Sequence, residues 1–254
     1  MLSLVNTAHA AEGISVKLSP YVVGEFFGLS ITATMLTAWL ATVILLAAAI
    51  LVGRNLAAVP GKVQLVFETA VGGVYQYVED TLESRELAQR YFPVLMTMFL
   101  FLLVMNWVGL LPGVTTIGLT DGDSFTPFFY PPATDLNIAI AFALVAMFTI
   151  EFAGIAALGL WKYGGKFINF SSPLNFLVGI IELISEIGRL VSFSFRLFGN
   201  IFAGKTLLVV ATFFVPFVLP VPILAYEVFV GFIQAGVFFF LTLIFIKLAV
   251  AEPH

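Results

Sequence analysis

The sequence predicts an all-α membrane protein with about five membrane helices plus one amphipathic interfacial helix, the last two membrane helices long and steeply tilted as a hairpin. Three observations lead there. Of the 254 residues 61% are hydrophobic and only 10% are charged, with a mean hydropathy of +1.08, whereas a soluble domain carries roughly 25% charged residues. Apolar stretches recur at lengths that suit a hydrocarbon layer of about 30 Å. On the first long helix of the last third, Glu182, Glu186, Arg189 and Arg196 fall on one helical stripe, which marks a polar interior rather than a lipid-facing surface.

Composition also excludes. With no cysteine there is no disulfide framework, thiol catalysis or Cys-ligated metal. The only histidines are His9 and His254, so no metal site is expected. Neither a GxxxxGK[ST] loop nor a basic stripe occurs, which argues against a nucleotide cofactor and against a nucleic-acid partner.

Residues 1–26 read as an outer-side tail. Ala8-His9-Ala10-Ala11 has the small residues of a cleavage site, but too few residues precede it for the apolar core a signal peptide needs. Residues 27–53 form a first span ended by Arg54, followed by a turn at Val59-Pro60-Gly61-Lys62. Over 60–84, Val63, Phe67, Val71, Val74, Val78 and Leu82 recur at steps of three or four, with Gln64, Glu68, Gln76, Glu79 and Glu83 largely elsewhere. That periodicity predicts an amphipathic helix along the interface or against another subunit. Residues 91–111 form a second span with Asn106 as its notable polar residue, 112–134 an outer-side loop, and 135–161 a third span carrying Glu151 near its middle. Residues 173–211 and 222–250 are the two long helices, joined by a proline-rich link. At about 1.5 Å per residue they are roughly 55 and 43 Å long, too long to stand upright in the bilayer.

Basic residues in short loops give the orientation. Arg54 and Lys62, then Lys162 and Lys166, mark the cytoplasmic side, while the loop with Asp121 and Asp123 lies outside. The N-terminus is then outside, and the C-terminus with Glu252 and His254 inside.

The functional centre is Ser192-Phe193-Ser194-Phe195-Arg196-Leu197-Phe198-Gly199-Asn200-Ile201-Phe202-Ala203-Gly204. An arginine inside a span costs about 2.5 to 3.5 kcal/mol on insertion scales and cannot escape by deprotonating. Gly199, Ala203 and Gly204 permit close helix approach. Glu182, Glu186, Arg189, Arg196 and Asn200 are separated by 4, 3, 7 and 4 residues, which at about 100° per residue places them within roughly 80°. Ser185 and Ser192 lie on the same side; Glu227 and Gln234 share a face of the last helix. This pattern predicts two aqueous half-pathways: Glu182, Ser185 and Glu186 toward the cytoplasm, Glu227 toward the outside, and Arg196 between them. A carboxylic acid carried by a partner crosses lipid when neutral and must release its proton beside a fixed guanidinium. The same cation repels a hopping proton and keeps the half-pathways from joining. The plainer reading is charge neutralisation that holds helices together, to which Glu186 with Arg189, Lys205 with Glu227, and interhelical bonds from Glu151, Asn106 and Gln234 would belong.

Arg196-Leu197-Phe198-Gly199-Asn200 with Ala203-Gly204 resembles the signature of subunit a of F-type ATP synthases. Val59-Pro60-Gly61-Lys62, Asn106 with Leu110-Leu111-Pro112, and Pro132-Ala133-Thr134-Asp135-Leu136-Asn137 extend the likeness over most of the chain. The resemblance implies a proton-translocating stator subunit, not an enzyme alone, beside a rotating ring of c subunits. Partners would also include peripheral-stalk b subunits, the other ATP synthase subunits and membrane lipid. It carries the family's essential arginine to Arg196, its amide to Asn200, its cytoplasmic-side carboxylate to Glu182 and its last-helix glutamine to Gln234. Glu227 matches a site where the family has Glu or His, whereas Lys205 departs from the acid or histidine often found there. A Lys205–Glu227 ion pair tuning the outer half-pathway is the expectation. The absence of an obvious targeting segment favours a bacterial plasma membrane. The alternatives are a self-contained ion-coupled secondary transporter, which commonly shows internal repeats not found here, and a structural anchor, which leaves the burial of Arg196 and Glu227 unexplained.

Overall fold

The computed structural model describes residues 20–54, 61–111, 113–121, 124–167, 172–216 and 218–251. The N-terminal tail to residue 19, the Val59-Pro60 part of the first turn, Pro112, Asp123, Glu252 and His254 lie outside the described residues. The chain opens on strands β1 (Val22–Phe26) and β2 (Leu29–Thr32), paired antiparallel with Glu25 opposite Ser30. Helix α1 (Ala33–Arg54) follows, then α2 (Lys62–Leu82) and α3 (Arg85–Leu110). A second small hairpin, β3 (Gly118–Asp121) and β4 (Ser124–Pro127), sits in the loop before α4 (Leu136–Leu158), short α5 (Leu160–Gly164), α6 (Pro173–Phe214) and α7 (Pro220–Val250).

The first span starts later than its hydropathy suggests. Residues 27–32 belong to the hairpin, whose turn residues Phe27 and Gly28 have φ of 50° and 80°. Two consecutive positive φ values match the twist of a two-residue hairpin, and the flanking β-branched Val22, Val23, Ile31 and Thr32 favour extended backbone. Helix α3 starts earlier than residue 91, because Ser84 caps it by accepting from the Leu87 N–H and the charged first turn lies outside the apolar run. Gly159, at φ 80°, ends α4 and turns the chain into α5 within the stretch expected as one span.

Helices α1, α3, α4 and α7 are each long and apolar enough to cross a membrane. The chain is an all-α membrane protein with two small β-hairpins at its loops. Its outer faces are apolar: Trp39, Leu51 and Phe148 are 52%, 62% and 70% exposed, as in a protein whose solvent on those faces is lipid. The interior is built where α3, α4, α6 and α7 meet. Ala139, Ala143 and Ala146 of α4, spaced by four and three, are fully buried beside Leu102, Met105, Phe193, Leu197, Ala235 and Phe238. Small side chains on one face let backbones approach closely.

On α2, Val78 and Leu82 are buried, but Phe67 and Val71 of the same stripe are exposed. Among the described residues only the C-terminal half of the amphipathic face is covered. The α2–α3 corner is tied to the end of α7 by Lys247, whose Nζ donates to Glu83 Oε1 at 2.7 Å. This holds the Glu83 carboxyl below its ordinary range. A depressed carboxyl stabilises the fold above its unfolded pKa, and that contribution is lost as pH falls through the lower folded value. Glu83→Gln is therefore expected to speed amide exchange at the α2–α3 corner at pH 7, with a difference from the native chain that shrinks progressively as the pH is lowered below a usual carboxylate's ~4.3.

Candidate functional site

The polar stripe of α6 divides into three regions. At the centre, Arg196 Nη2 donates to Ser192 Oγ one turn earlier, at 3.3 Å. Arg196 lines a cavity of about 280 Å³ with Ser185, Gly188, Arg189 and Ser192 of its own helix and Leu241 and Phe245 of α7. This face is open: Ser185, Gly188, Ser192 and Ala203 are exposed, and a Cβ on Gly188 or Gly199 would meet nothing. Beyond Arg196, Asn200 and Gln234 join α6 to α7 through an amide–amide hydrogen bond of 2.5 Å, with Asn200 Nδ2 as donor and Gln234 Oε1 as acceptor.

The second region is a separate cavity of about 410 Å³, reached by Ile201, Gly204, Lys205 and Leu208 of α6 and by Glu227. Glu227 is 4% exposed, and among the described residues no donor or cation is paired with it. Its carboxyl rests on Gly204, where an added Cβ would overlap it. Gly204 therefore does not share the role of Gly199 and Ala203: it seats an acid inside the bundle while they face outward. The expected Lys205–Glu227 pair is not formed. Lys205 Nζ instead lies 3.0 Å from the centre of the Tyr130 ring, whose phenol is pushed up to about 12 by burial and so stays neutral. Lys205 is half a turn round α6 from Arg196, at about 180°, and points at the loop before α4. Tyr21 packs edge-on against Tyr130 at 5.1 Å between centroids.

Asn106 and its neighbour hold the wall of this cavity. Asn106 Nδ2 donates to the Gly231 carbonyl at 3.2 Å and Trp107 Nε1 to the Val228 carbonyl at 3.1 Å. The two acceptors lie one turn apart immediately after Glu227, so α3 fixes the rotation of α7. Asn106 Oδ1 and Gln234 Nε2 are buried without a partner among the described residues.

The third region is the start of α6. Glu182 pairs with Lys166 at 2.5 Å, and Glu186, 7% exposed, takes Arg189 Nη1 on both carboxyl oxygens at 3.0 and 2.9 Å. Lys166 also lies 3.6 Å from Glu186. The Arg189 guanidinium stacks on Phe245 at 4.2 Å, a cation–π contact. Sequence spacing found the acids but missed Lys166, Tyr130, Trp107 and Tyr163, whose parts depend on loop and interhelix contacts with no local signature.

A family model described as ATP synthase A chain matches residues 35–247. The chain belongs to that family. It is 33% identical over 220 residues to ATP synthase subunit a of Geotalea daltonii, covering 85% of this chain and 86% of that protein. ATP synthase subunit a 3 of Pelobacter propionicus is 34% identical over 219 residues, with the same coverage. ATP synthase subunit a of Campylobacter fetus is 32% identical over 217 residues, covering 85% of this chain and 89% of its own length. As an ATP synthase A chain the protein is a proton-translocating stator subunit of the membrane sector, working within a multisubunit ATP synthase and not as an enzyme alone.

Proposed function

We propose that the two cavities are the inner and outer half-pathways for the proton and that Arg196 is the element between them. The observation that carries this is their separation along α6. The inner cavity takes residues 185 to 196 of that helix and the outer one residues 201 to 208. Between Arg196 and Ile201 lies a rise of about 7.5 Å, filled by buried Leu197 and crossed by the Asn200–Gln234 bond. Glu227 serves the outer path with Lys205 at its wall; Ser185, Glu186 and Glu182 serve the inner one. A proton entering past Glu227 meets a packed layer and a fixed cation, and can continue only on a mobile carrier.

That carrier is a carboxylate of a c-subunit ring running along the open face of α6. Ser192, Gly199 and Ala203 give this face little relief, so a passing helix slides instead of locking. In this reading α6 is a fifth membrane helix, its polar stripe turned toward the pathways, and the α6–α7 hairpin is tilted against the ring. The exposed half of α2 receives peripheral-stalk b subunits. The chain sits in a bacterial plasma membrane with its N-terminus outside and its C-terminus in the cytoplasm, as the Lys and Arg of the inner loops favour.

The natural absence of cysteine makes the test clean. In the assembled complex, Ser192→Cys is expected to react with a membrane-impermeant thiol reagent only from the cytoplasmic side, and Leu208→Cys only from the outer side. Reaction of either from both sides would sink the two-pathway reading.

A further inference from the structure

Lys205 and Glu227 line one cavity and do not pair. Among the described residues they are the only two members of its wall that carry charge at neutral pH. The other titratable groups there are the phenols of Tyr21 and Tyr130, neutral at an ordinary pKa of ~10. Glu227 enters from α7 and rests on Gly204. Lys205, the next residue of α6, leaves about 100° further round the helix, and its Nζ lies 3.0 Å from the centre of the Tyr130 ring. Among the described residues no carboxylate is within ion-pair distance of it.

The ring is itself held from two sides. The Tyr130 N–H donates to Oγ1 of Thr37, a fully buried residue of α1, at 3.0 Å. Tyr21 stands edge-on against the ring, and the Tyr21 carbonyl accepts the Ala33 N–H at 2.8 Å. Helix α1 and the first hairpin therefore fix the ring, and the ring fixes the ammonium.

A ring and a carboxylate differ in what they do to the charge they hold. A carboxylate would seat the ammonium and cancel it, whereas an aromatic face seats it and leaves its charge in place. The cavity, at about 410 Å³, has room for several waters of about 30 Å³ each, so size alone does not keep out a metal ion that has kept part of its hydration. Without the lysine its only charge would be a carboxylate, the oxygen ligand that hard cations take. With the lysine the two charges sum to zero. A metal ion then gains no net attraction by entering, while a proton still gains an O–H bond on the carboxylate.

We propose that Lys205 is a specificity-determining residue of the outer half-pathway: seated on Tyr130, its ammonium offsets Glu227 without docking on it and keeps monovalent metal cations out while protons pass. Tyr130 is the positioning residue. The proposal rests on the half-pathway reading above.

The test is passive proton conduction by the assembled complex in vesicles, with sodium chloride exchanged for choline chloride on one side at a time. Ionic strength is held at about 0.1 M, where exposed charges are screened beyond about 10 Å. Native conduction is expected to be equal in the two salts. Lys205→Met keeps most of the stem and loses the charge. Its conduction is expected to fall about tenfold when sodium replaces choline on the outer side, the effect of one unit charge acting across such a cavity, and to recover when choline is restored. Lys205→Arg, whose guanidinium also rests on aromatic faces, is expected to stay indifferent to the salt. Equal conduction by Lys205→Met in both salts, whether fast or slow, overturns the proposal, and so does a native complex slowed by sodium as strongly as the variant. If Lys205→Met does not assemble, Lys205→Cys is read in its place. Its sodium block is expected to disappear when an aminoethyl thiosulfonate restores an ammonium and to persist with an uncharged ethyl reagent; no block, or equal relief by both reagents, overturns the proposal. The side of action separates the two levels. No block from either side removes only the role of Lys205, whereas a block from the cytoplasmic side alone takes the half-pathway reading with it.

Discussion

Arg196→Ala is expected to abolish ATP synthesis driven by an imposed proton gradient, at unchanged assembly of the complex, and to open a passive proton leak. In the proposed mechanism Arg196 faces a ring carboxylate, and losing such a fixed electrostatic partner costs about 3 kcal/mol, which is about two decades in rate. The leak follows from the same loss, since the guanidinium is the fixed positive charge at the end of the inner cavity. Arg196→Lys is expected to recover little. A lysine keeps the charge, but it is a compact and strongly hydrated ammonium in place of a planar fork, and among the described residues Ser192 is the one hydroxyl bonded to the guanidinium. Synthesis at the native rate in Arg196→Ala would make the residue structural and end the proposed mechanism.

Gly204→Ala is expected to be nearly as damaging, for a steric reason. In an open helix position a Gly→Ala change gains roughly 0.5 to 1 kcal/mol. At Gly204 the new methyl enters the space of the Glu227 carboxyl. Either Glu227 swings away from its seat, or α6 and α7 separate and undo the packing of Leu197 with Phe238; overpacking of this kind costs about 1 to 3 kcal/mol. Proton-driven synthesis is expected to fall about tenfold, or by more where the complex loses assembly. Gly72→Ala on the open face of α2, where a Cβ meets nothing, is the control and is expected to assemble normally. Combining Gly204→Ala with Glu227→Ala tests the cause: the pair is expected to regain assembly without transport. A double variant that assembles no better than Gly204→Ala would place the clash elsewhere.

The helices were legible because lipid simplifies the code. A run of apolar residues long enough to cross the bilayer must satisfy its backbone internally, and α3, α4 and α7 follow their runs closely. The polar stripe was legible for the same reason, since buried charge in a helix has so few explanations. What the chain hid were contacts set by turns. Hydropathy cannot tell the strand Leu29–Thr32 from the start of a span. The spacing of Lys205 and Glu227 permits a pair across the hairpin, but Lys205 leaves from the far side of α6 and meets the Tyr130 ring. The sequence leads one to expect Glu151 to bond to a neighbouring helix, and its partner Tyr163 is hidden because it depends on the reversal at Gly159. Gly204 looked like its small neighbours, and only the third dimension separates its inward direction from theirs.

The two donors that α3 places on α7 also have a mechanical meaning. In the proposed mechanism a rotor driven past α6 pushes back on it, and that sideways force must leave the helix without turning it. The Asn200–Gln234 bond hands the force to α7 beyond the arginine. Asn106 and Trp107 grip carbonyls one turn apart, so α7 cannot roll about its own axis without breaking both bonds together. On the proposed reading the strut that takes up the torque is the α3–α7 pair, and the acid proposed to admit the proton is mounted on that strut.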